Sequence, residues 1–330
     1  MRKISYAFMI LTIPASVYIS FTLNGIGTYF ALFYAFGFLP IVELFLKPNF
    51  SNYSDEKSSQ LNNDRYFDFL LYLMVPIQLV LFYLFILQVQ MRSGVELLGV
   101  ILAFGLACGT LGINCAHELG HRHKSYEKFM AKLLLLSSLY MHFYIEHNRG
   151  HHKYVSTPRD PASSRQGESL YLFFPRSIIS GWLSAWKIDP FQMRVIVAIQ
   201  LVFLVVLYFF YDLKTLGSFI ASASFGILLL ETVNYIEHYG LQRNVNPSGK
   251  YEKVQVTHSW NSNHPIGRMV LFELSRHSDH HANVNKKYQI LNHYDESPQM
   301  PTGYPGMMLL STIPPLWFKV MNRRIKKSVT

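Results

Sequence analysis

Charge is scarce in this sequence. Asp, Glu, Lys and Arg make up 15% of its 330 residues, against about 25% in an ordinary soluble domain. Half of the residues are apolar. A soluble globule of this length could not clothe its surface from so small a polar share, so that class is excluded. Cysteine is scarcer still. The only two, Cys108 and Cys115, lie seven residues apart in one apolar segment. On a helix that is about 10.5 Å along the axis, and a disulfide spans less than about 7 Å between Cα atoms. A disulfide scaffold is excluded and two free thiols are expected. Acidic residues are outnumbered, 20 against 30 basic, giving a net charge of +10. In a soluble chain that balance would suggest nucleic acid. In an apolar chain it reads as the excess of Lys and Arg on the cytoplasmic side of a membrane protein, so no nucleic-acid partner is expected. Internal repeats and low-complexity linkers are absent.

What is present is a series of long apolar windows. A helix needs about 20 apolar residues to cross a bilayer, and six windows qualify: residues 6–23, 25–46, 66–89, 95–115, 193–211 and 216–236. Asn24-Gly25 marks a turn between the first two. Pro14 and Pro76 fall inside spans, where membrane helices tolerate them. The N-terminal apolar run after Met1-Arg2-Lys3 reads as a retained first span, because no small-residue cleavage site follows it. With the N-terminus inside, residues 47–65, 116–192 and 237–330 share its side, and of the 30 Lys and Arg only Arg92 and Lys214 fall on the other. All 14 histidines lie in or at the edge of those inside segments. The expected architecture is all-α, six transmembrane helices with a cytoplasmic helical cap (116–192 and 237–330) forming one membrane domain over 1–330. Two apolar stretches, 133–145 and 307–318, are too short to cross and read as cap or interfacial helices. The basic run at 322–327 reads as a solvated or headgroup-associated tail.

The chemistry is carried by four histidine clusters. His117-Glu118-Leu119-Gly120-His121 follows the fourth span, and its i, i+4 histidines share a helix face. Glu146-His147-Asn148-Arg149-Gly150-His151-His152 repeats that spacing for His147 and His151. On an ideal helix His152 falls off their face, leaving either a second metal or a bend at Gly150. Glu237-His238 ends the sixth span. Arg276-His277-Ser278-Asp279-His280-His281 again places histidines at i, i+3 and i+4. These nine are too many for one metal and sufficient for two with four or five each. By ligand type alone imidazole suits Fe, Zn, Cu and Ni. Glu118, Glu146, Glu237 and Asp279 each adjoin a cluster histidine and are expected to accept its other ring N–H, fixing the tautomer. The remaining histidines, His123, His142, His258, His264 and His293, are expected to be structural.

Two competing classes fit part of this pattern. His117–His121 matches the H-E-x-x-H signature of zinc proteases, in which the glutamate is the general base. That reading leaves most of the clustered histidines idle. A metal transporter would place its site near the bilayer midplane in broken helices, whereas these histidines sit at helix ends and in the cap.

The segments 117–121, 146–165 (EHNRGHHKYVSTPRDPASSR), 234–241 (NYIEHYGL) and 271–282 (LFELSRHSDHHA), with 258–264 and 301–306, resemble the bacterial membrane alkane 1-monooxygenases of the histidine-box fatty-acid desaturase and hydroxylase superfamily. The resemblance covers about residues 100–320. It departs at Arg122, where Lys is common, and at Leu274-Ser275, where Leu-Gln is common; neither removes a ligand. It implies two iron ions held by the nine histidines, O2 as co-substrate, and terminal hydroxylation of an apolar alkane. It also implies electrons from rubredoxin and its NAD(P)H-dependent reductase. Location in the bacterial inner membrane follows, with both termini and the metal site cytoplasmic. Related di-iron enzymes acting on xylene-type or fatty acyl substrates are the nearest alternative. Arg122, Lys124, Lys128 and Lys132, beside the first cluster, are expected to dock an acidic electron carrier.

Overall fold

The computed structural model describes residues 3–329, with side chains to Ile325. Its helices are α1 (Lys3–Thr22), α2 (Gly25–Leu44), α3 (Asp55–Asn62), α4 (Arg65–Met91), α5 (Gly94–Gly120) and α6 (Ser125–Leu136). They continue with α7 (residues 143–154), α8 (Leu170–Ile188), α9 (Pro190–Phe210), α10 (Leu213–His238), α11 (Pro265–Val270), α12 (His277–Ala282), α13 (Tyr304–Ser311) and α14 (Pro314–Val329). Among the described residues there is no strand, only two isolated bridges. Six helices, α1, α2, α4, α5, α9 and α10, are long and apolar enough to cross a membrane. The six expected windows and these helices coincide in place. The largest difference is at the end of α5, which runs on through His117 to Gly120; α10 also runs on, to His238. Two histidine clusters are therefore built directly on membrane-spanning helices.

The chain divides into two compact units. The first comprises Met1–Phe38, Arg65–Ile145 and Ala185–Leu230. With no water in a bilayer core, its backbone groups are satisfied within helices, and association rests on close packing and small residues. Gly226 shows how close: a Cβ there would lie 2.6 Å from Cys108 Cβ and 2.9 Å from the Gly105 carbonyl oxygen. Phe85 stacks on Phe104 at 4.5 Å, Phe82 meets Phe219 at 5.2 Å, and Phe203 meets Phe219 at 5.5 Å. These rings tie α4, α5, α9 and α10 together. Asp189 caps α9 by accepting from Gln192 N at 3.0 Å, and Pro190 opens the helix, the residue types that suit those two positions. At one end of the unit Arg92 pairs with Glu96 at 2.9 Å, and Glu96 also accepts from Gly25 N at 2.6 Å. Cys108 and Cys115 are buried free thiols.

The second unit comprises Leu39–Asp64, Glu146–Ser184 and Glu231–Thr330. Its core gathers Trp317, Tyr235, Tyr239, Trp260, Tyr304 and Met321. Two of these buried rings have their polar ends satisfied: Trp260 donates to the Tyr239 carbonyl at 2.9 Å, and Tyr235 to that of Glu168 at 2.7 Å. Buried Arg276 donates to the carbonyls of Leu291 at 2.6 Å and Ser51 at 2.9 Å. That pins two loops at the start of α12. Just before it, Phe272 and Glu273 occupy the left-handed region, φ 53° and 58°, where side chains are strained.

Stretch 133–145 holds the end of α6 and the start of α7, with a break around Leu139 (φ 51°). Stretch 307–318 is split between α13 and α14. The 322–327 run, expected as a tail, lies within α14. There Trp317, Met321 and Ile325 are buried at the i, i+4 and i+8 positions that mark a core-facing stripe; the side chains beyond Ile325 are outside the described residues.

Candidate metal centre

The first histidine pair stands at the end of α5. A π-helical stretch, Cys108–Asn114, precedes it, and α-helix resumes at Cys115. Such wide turns concentrate at functional sites. His117 is buried, His121 half-buried, and their rings approach to 5.0 Å at right angles. The i, i+4 reading of this pair matches the geometry.

The second cluster behaves differently. His147–His151 forms a π-helical turn, in which His152 N donates to the His147 carbonyl. The wide turn carries His152 round, so His147 Nε2 and His152 Nε2 lie 2.9 Å apart. His280 Nε2 joins them, 3.2 Å from His152 Nε2. His147 and His151 therefore do not form one chelating pair as the spacing suggested. His151 turns to a second group with His238, His277 and His281. In that group the Nε2 atoms of His277 and His238 are 3.2 Å apart, His281 and His277 2.9 Å, and His151 and His281 3.2 Å. On α12 the i, i+4 histidines His277 and His281 stay together and His280 goes to the other group.

This donor set fits a metal ion. A neutral imidazole has one donor and one acceptor, and several nitrogens facing one point cannot all be satisfied by one another. Around one ion with metal–nitrogen bonds of about 2.0–2.1 Å, neighbouring nitrogens stand about 2.9–3.4 Å apart, from octahedral to tetrahedral angles. The separations of 2.9–3.2 Å in this group fall in that range. Burial, then the charge of His151, pulls the His280 imidazole down to about 3. Burial and the crowd of imidazoles push His281 well below its ordinary value. Both are held neutral, the form that binds metal.

His151 is the exception, because it has a carboxylate. Its Nδ1 lies 2.9 Å from Asp160 Oδ2. Burial opposes both charges, yet the pairing holds the His151 pKa above its ordinary value and that of Asp160 below. Asp160 accepts from Ala162 N at 3.1 Å, two residues on, and from Ser163 Oγ at 2.5 Å. An Asp that bonds its own backbone two residues on closes a tight turn, and here the turn aims the other oxygen at His151. Attention to carboxylates adjacent to histidines missed Asp160. The signal was its Asp-Pro-Ala-Ser setting.

The four adjacent carboxylates have diverse partners. Glu237 Oε2 lies 3.2 Å from His277 Nε2 while Oε1 accepts from Tyr304 at 2.8 Å, so Glu237 reaches the second group. Glu146 is buried and accepts from Ser184 at 3.3 Å; burial, then the nearby Asp160 charge, raises its carboxyl to about 8. Glu118 pairs with Arg122 at 2.7 Å. Asp279, expected to support a histidine, instead accepts from Lys286 at 2.5 Å, Asn292 N at 2.6 Å, Asn283 at 2.8 Å and Tyr294 at 3.1 Å. Its oxygens are consumed in fixing the loop after α12.

Of the residues expected to dock a carrier, Arg122 is not at the surface. It is buried between Glu118 and Asp68, the latter at 3.3 Å, because a cation among packed helices is stabilised only by pairing. Lys124 is exposed, while Lys128 and Lys132 are half-buried, Lys132 over the Tyr144 ring. The five histidines expected to be structural lie outside both groups. His258 binds Glu252 at 3.2 Å, His293 binds Asp295 at 3.1 Å, and burial takes His142 down to about 4.

Comparison with known proteins agrees with the geometry. The family model described as fatty acid desaturase matches residues 93–310. Alkane 1-monooxygenase 2 of Alcanivorax borkumensis is 35% identical, over 99% of this chain and 91% of its own length. The alkane 1-monooxygenase of Pseudomonas putida is 37% identical over 92% and 79%. The xylene/toluene monooxygenase hydroxylase component XylM of Pseudomonas putida is 25% identical over 76% and 72%. With its six apolar helices and buried histidine groups, the chain is a multi-pass membrane oxygenase belonging to the fatty acid desaturase family and, within it, to the alkane 1-monooxygenases.

Proposed function

We propose that the protein hydroxylates the terminal methyl group of alkanes at a two-iron centre, using O2 and electrons delivered by rubredoxin from an NAD(P)H-dependent reductase. The observation that carries this reading is the convergence of imidazole nitrogens at 2.9–3.2 Å within a chain related over nearly its whole length to alkane 1-monooxygenases. His151, His238, His277 and His281 would hold one iron, with Glu237 beside them. His147, His152 and His280 would hold the other, and the pair His117 and His121 supplies two further imidazole donors. When bound, iron supplies what imidazole and carboxylate lack, the redox chemistry to activate O2 toward an unactivated C–H bond.

The chain's own residues bind, orient and exclude water. Asp160 fixes His151 with Nε2 facing the group, and Tyr304 holds Glu237. An alkane offers no charge to grip, so selection rests on pocket shape. One methylene is worth only about 1–3 kcal/mol, and a breadth of chain lengths is expected. The excess of Lys and Arg on one side supports an orientation with both termini and the histidines at the cytoplasmic face of the inner membrane. The zinc-protease reading would need Glu118 as a general base, but Glu118 is buried against the Arg122 guanidinium. The likeness to a xylene/toluene monooxygenase component supports a second reading, methyl hydroxylation on aromatic rings.

The test is the purified chain with rubredoxin, its reductase, NADH and O2, assayed on octane, hexadecane, p-xylene and lauric acid, with iron measured on the same sample. Two irons per chain and 1-octanol formation, both lowered in His280→Ala, are expected. Iron with p-xylene oxidation alone would favour the aromatic reading. A single zinc and no iron uptake would overturn both.

A further inference from the structure

An oxygenase needs an external source of electrons, and the surface that receives the donor must combine charge with a short path to the buried imidazoles. In the second unit a cleft of about 230 Å³ is lined by Ser156, Thr157, Asp160, Ser163, Arg165 and Gln242, among others. Its mouth carries exposed Pro158, Arg165 and Gln242, and its floor is Asp160, the carboxylate 2.9 Å from His151 Nδ1. One side chain therefore separates the cleft from the second histidine group.

The rim is basic. Lys153, Arg159 and Arg165 are exposed on the segment that forms the cleft. The facing loop is locked to it: Arg243 N donates to the Ser156 carbonyl at 2.8 Å, Arg243 Nη1 to that of Lys153 at 3.0 Å, and Gly240 N to that of Ser164 at 3.0 Å. That loop adds exposed Lys250 and Lys253. The nearby acids are already engaged, Glu168 by Arg176 at 2.6 Å and Glu252 by His258 at 3.2 Å. The field over the cleft is consequently positive.

We propose that this cleft and its Lys153, Arg159 and Arg165 rim form the docking surface for the acidic one-electron carrier, with Asp160 and His151 as the path inward. The inference rests on the proposed oxygenase function, and it assigns docking to this cleft in place of the basic residues of α6. Each docked reduced carrier is oxidised by one electron. Two such electrons and two protons, with O2 and the substrate C–H, give one alcohol and one water.

The test measures binding of oxidised rubredoxin to the iron-loaded protein in nanodiscs at low and at physiological ionic strength. Reversing three rim charges, Lys153→Glu with Arg159→Glu and Arg165→Glu, is expected to weaken binding at low salt by about tenfold or more, an effect that salt narrows. The matching glutamine variants should fall between, and iron content should not change. Lys124→Glu with Lys128→Glu and Lys132→Glu should change binding less than about twofold. Equal binding by wild type and rim variant, loss only in the α6 variant, or no binding by the wild type at low salt would overturn the proposal. Failure of the functional reading shows separately, as missing iron or missing alcohol in the wild type.

Discussion

Asp160→Asn tests the hydrogen bond that orients His151, and it also changes the partner of Ser163 Oγ, which donates to the same Oδ2 at 2.5 Å. The carboxylate oxygen Oδ2 lies 2.9 Å from His151 Nδ1 and Oδ1 accepts from Ala162 N at 3.1 Å. Asparagine keeps the Oδ1 acceptor, so the turn at 160–162 survives. What changes is the group facing Nδ1: a charged acceptor becomes an amide that presents donors. His151 is then driven to the tautomer with its proton on Nε2, the nitrogen 3.2 Å from His281 Nε2. That proton occupies the position a metal needs. Loss of such an outer partner typically lowers metal affinity about 10–100-fold, or about 1.4–2.8 kcal/mol. The assay is anaerobic Fe(II) titration of the apoprotein against a chelating indicator. The wild type should fill two sites; the variant should fill one normally and one 10–100-fold more weakly. The weakened site is the one containing His151, and His147→Ala should weaken the other. Two wild-type affinities in Asp160→Asn would refute the argument that this carboxylate orients His151.

Three further outcomes follow from the same structure. Gly226→Ala should destabilise the helix crossing by about 1–3 kcal/mol, since its Cβ would sit 2.6 Å from that of Cys108, and Gly226→Leu should abolish accumulation of folded protein, read by fluorescence-detected size exclusion. Tyr304→Phe removes the 2.8 Å hydrogen bond to buried Glu237 and should cost about 1–3 kcal/mol in denaturant unfolding. Glu168 is held below the ordinary carboxylate range: burial opposes the charge, but Arg176 at 2.6 and 2.7 Å and Arg165 N at 3.0 Å outweigh it. A depressed folded pKa gives stability that is present above the unfolded value and lost as pH falls through the folded one. Glu168→Gln should therefore lower the melting temperature at neutral pH, by about 1 kcal/mol of stability or less. That difference should shrink toward zero in acid; a constant gap across pH would show that the ion pair does not contribute.

The membrane helices were legible because a bilayer imposes one strong rule, that about 20 residues be apolar with their backbone satisfied internally. All six appear where the apolar windows lie. The clustered histidines were legible as a set because i, i+4 spacing puts side chains on one helix face, and His277 with His281 shows that rule at work. Their division into two groups was not legible, because it depends on local departures from the ideal helix. The π-helical turn at His147–His151 sends His152 to His147 and frees His151 for the other group. No periodicity announces a single extra residue in a turn. The carboxylate partners were hidden for a related reason. Adjacency along the chain suggested Asp279, but its helix register turns it toward Lys286 and Asn292. Asp160, nine residues from His151, arrives through a turn it builds with its own side chain. Arg122 was expected to dock a carrier at the surface, yet it is buried. The Asp68 carboxylate on α4 and Glu118 one turn back make burial the better state. Sequence spacing paired His117 with His121 and His277 with His281 along one helix, but not His147 with His151. Which residues meet across helices depends on pairing between charges, and on wide turns, that only the folded chain reveals.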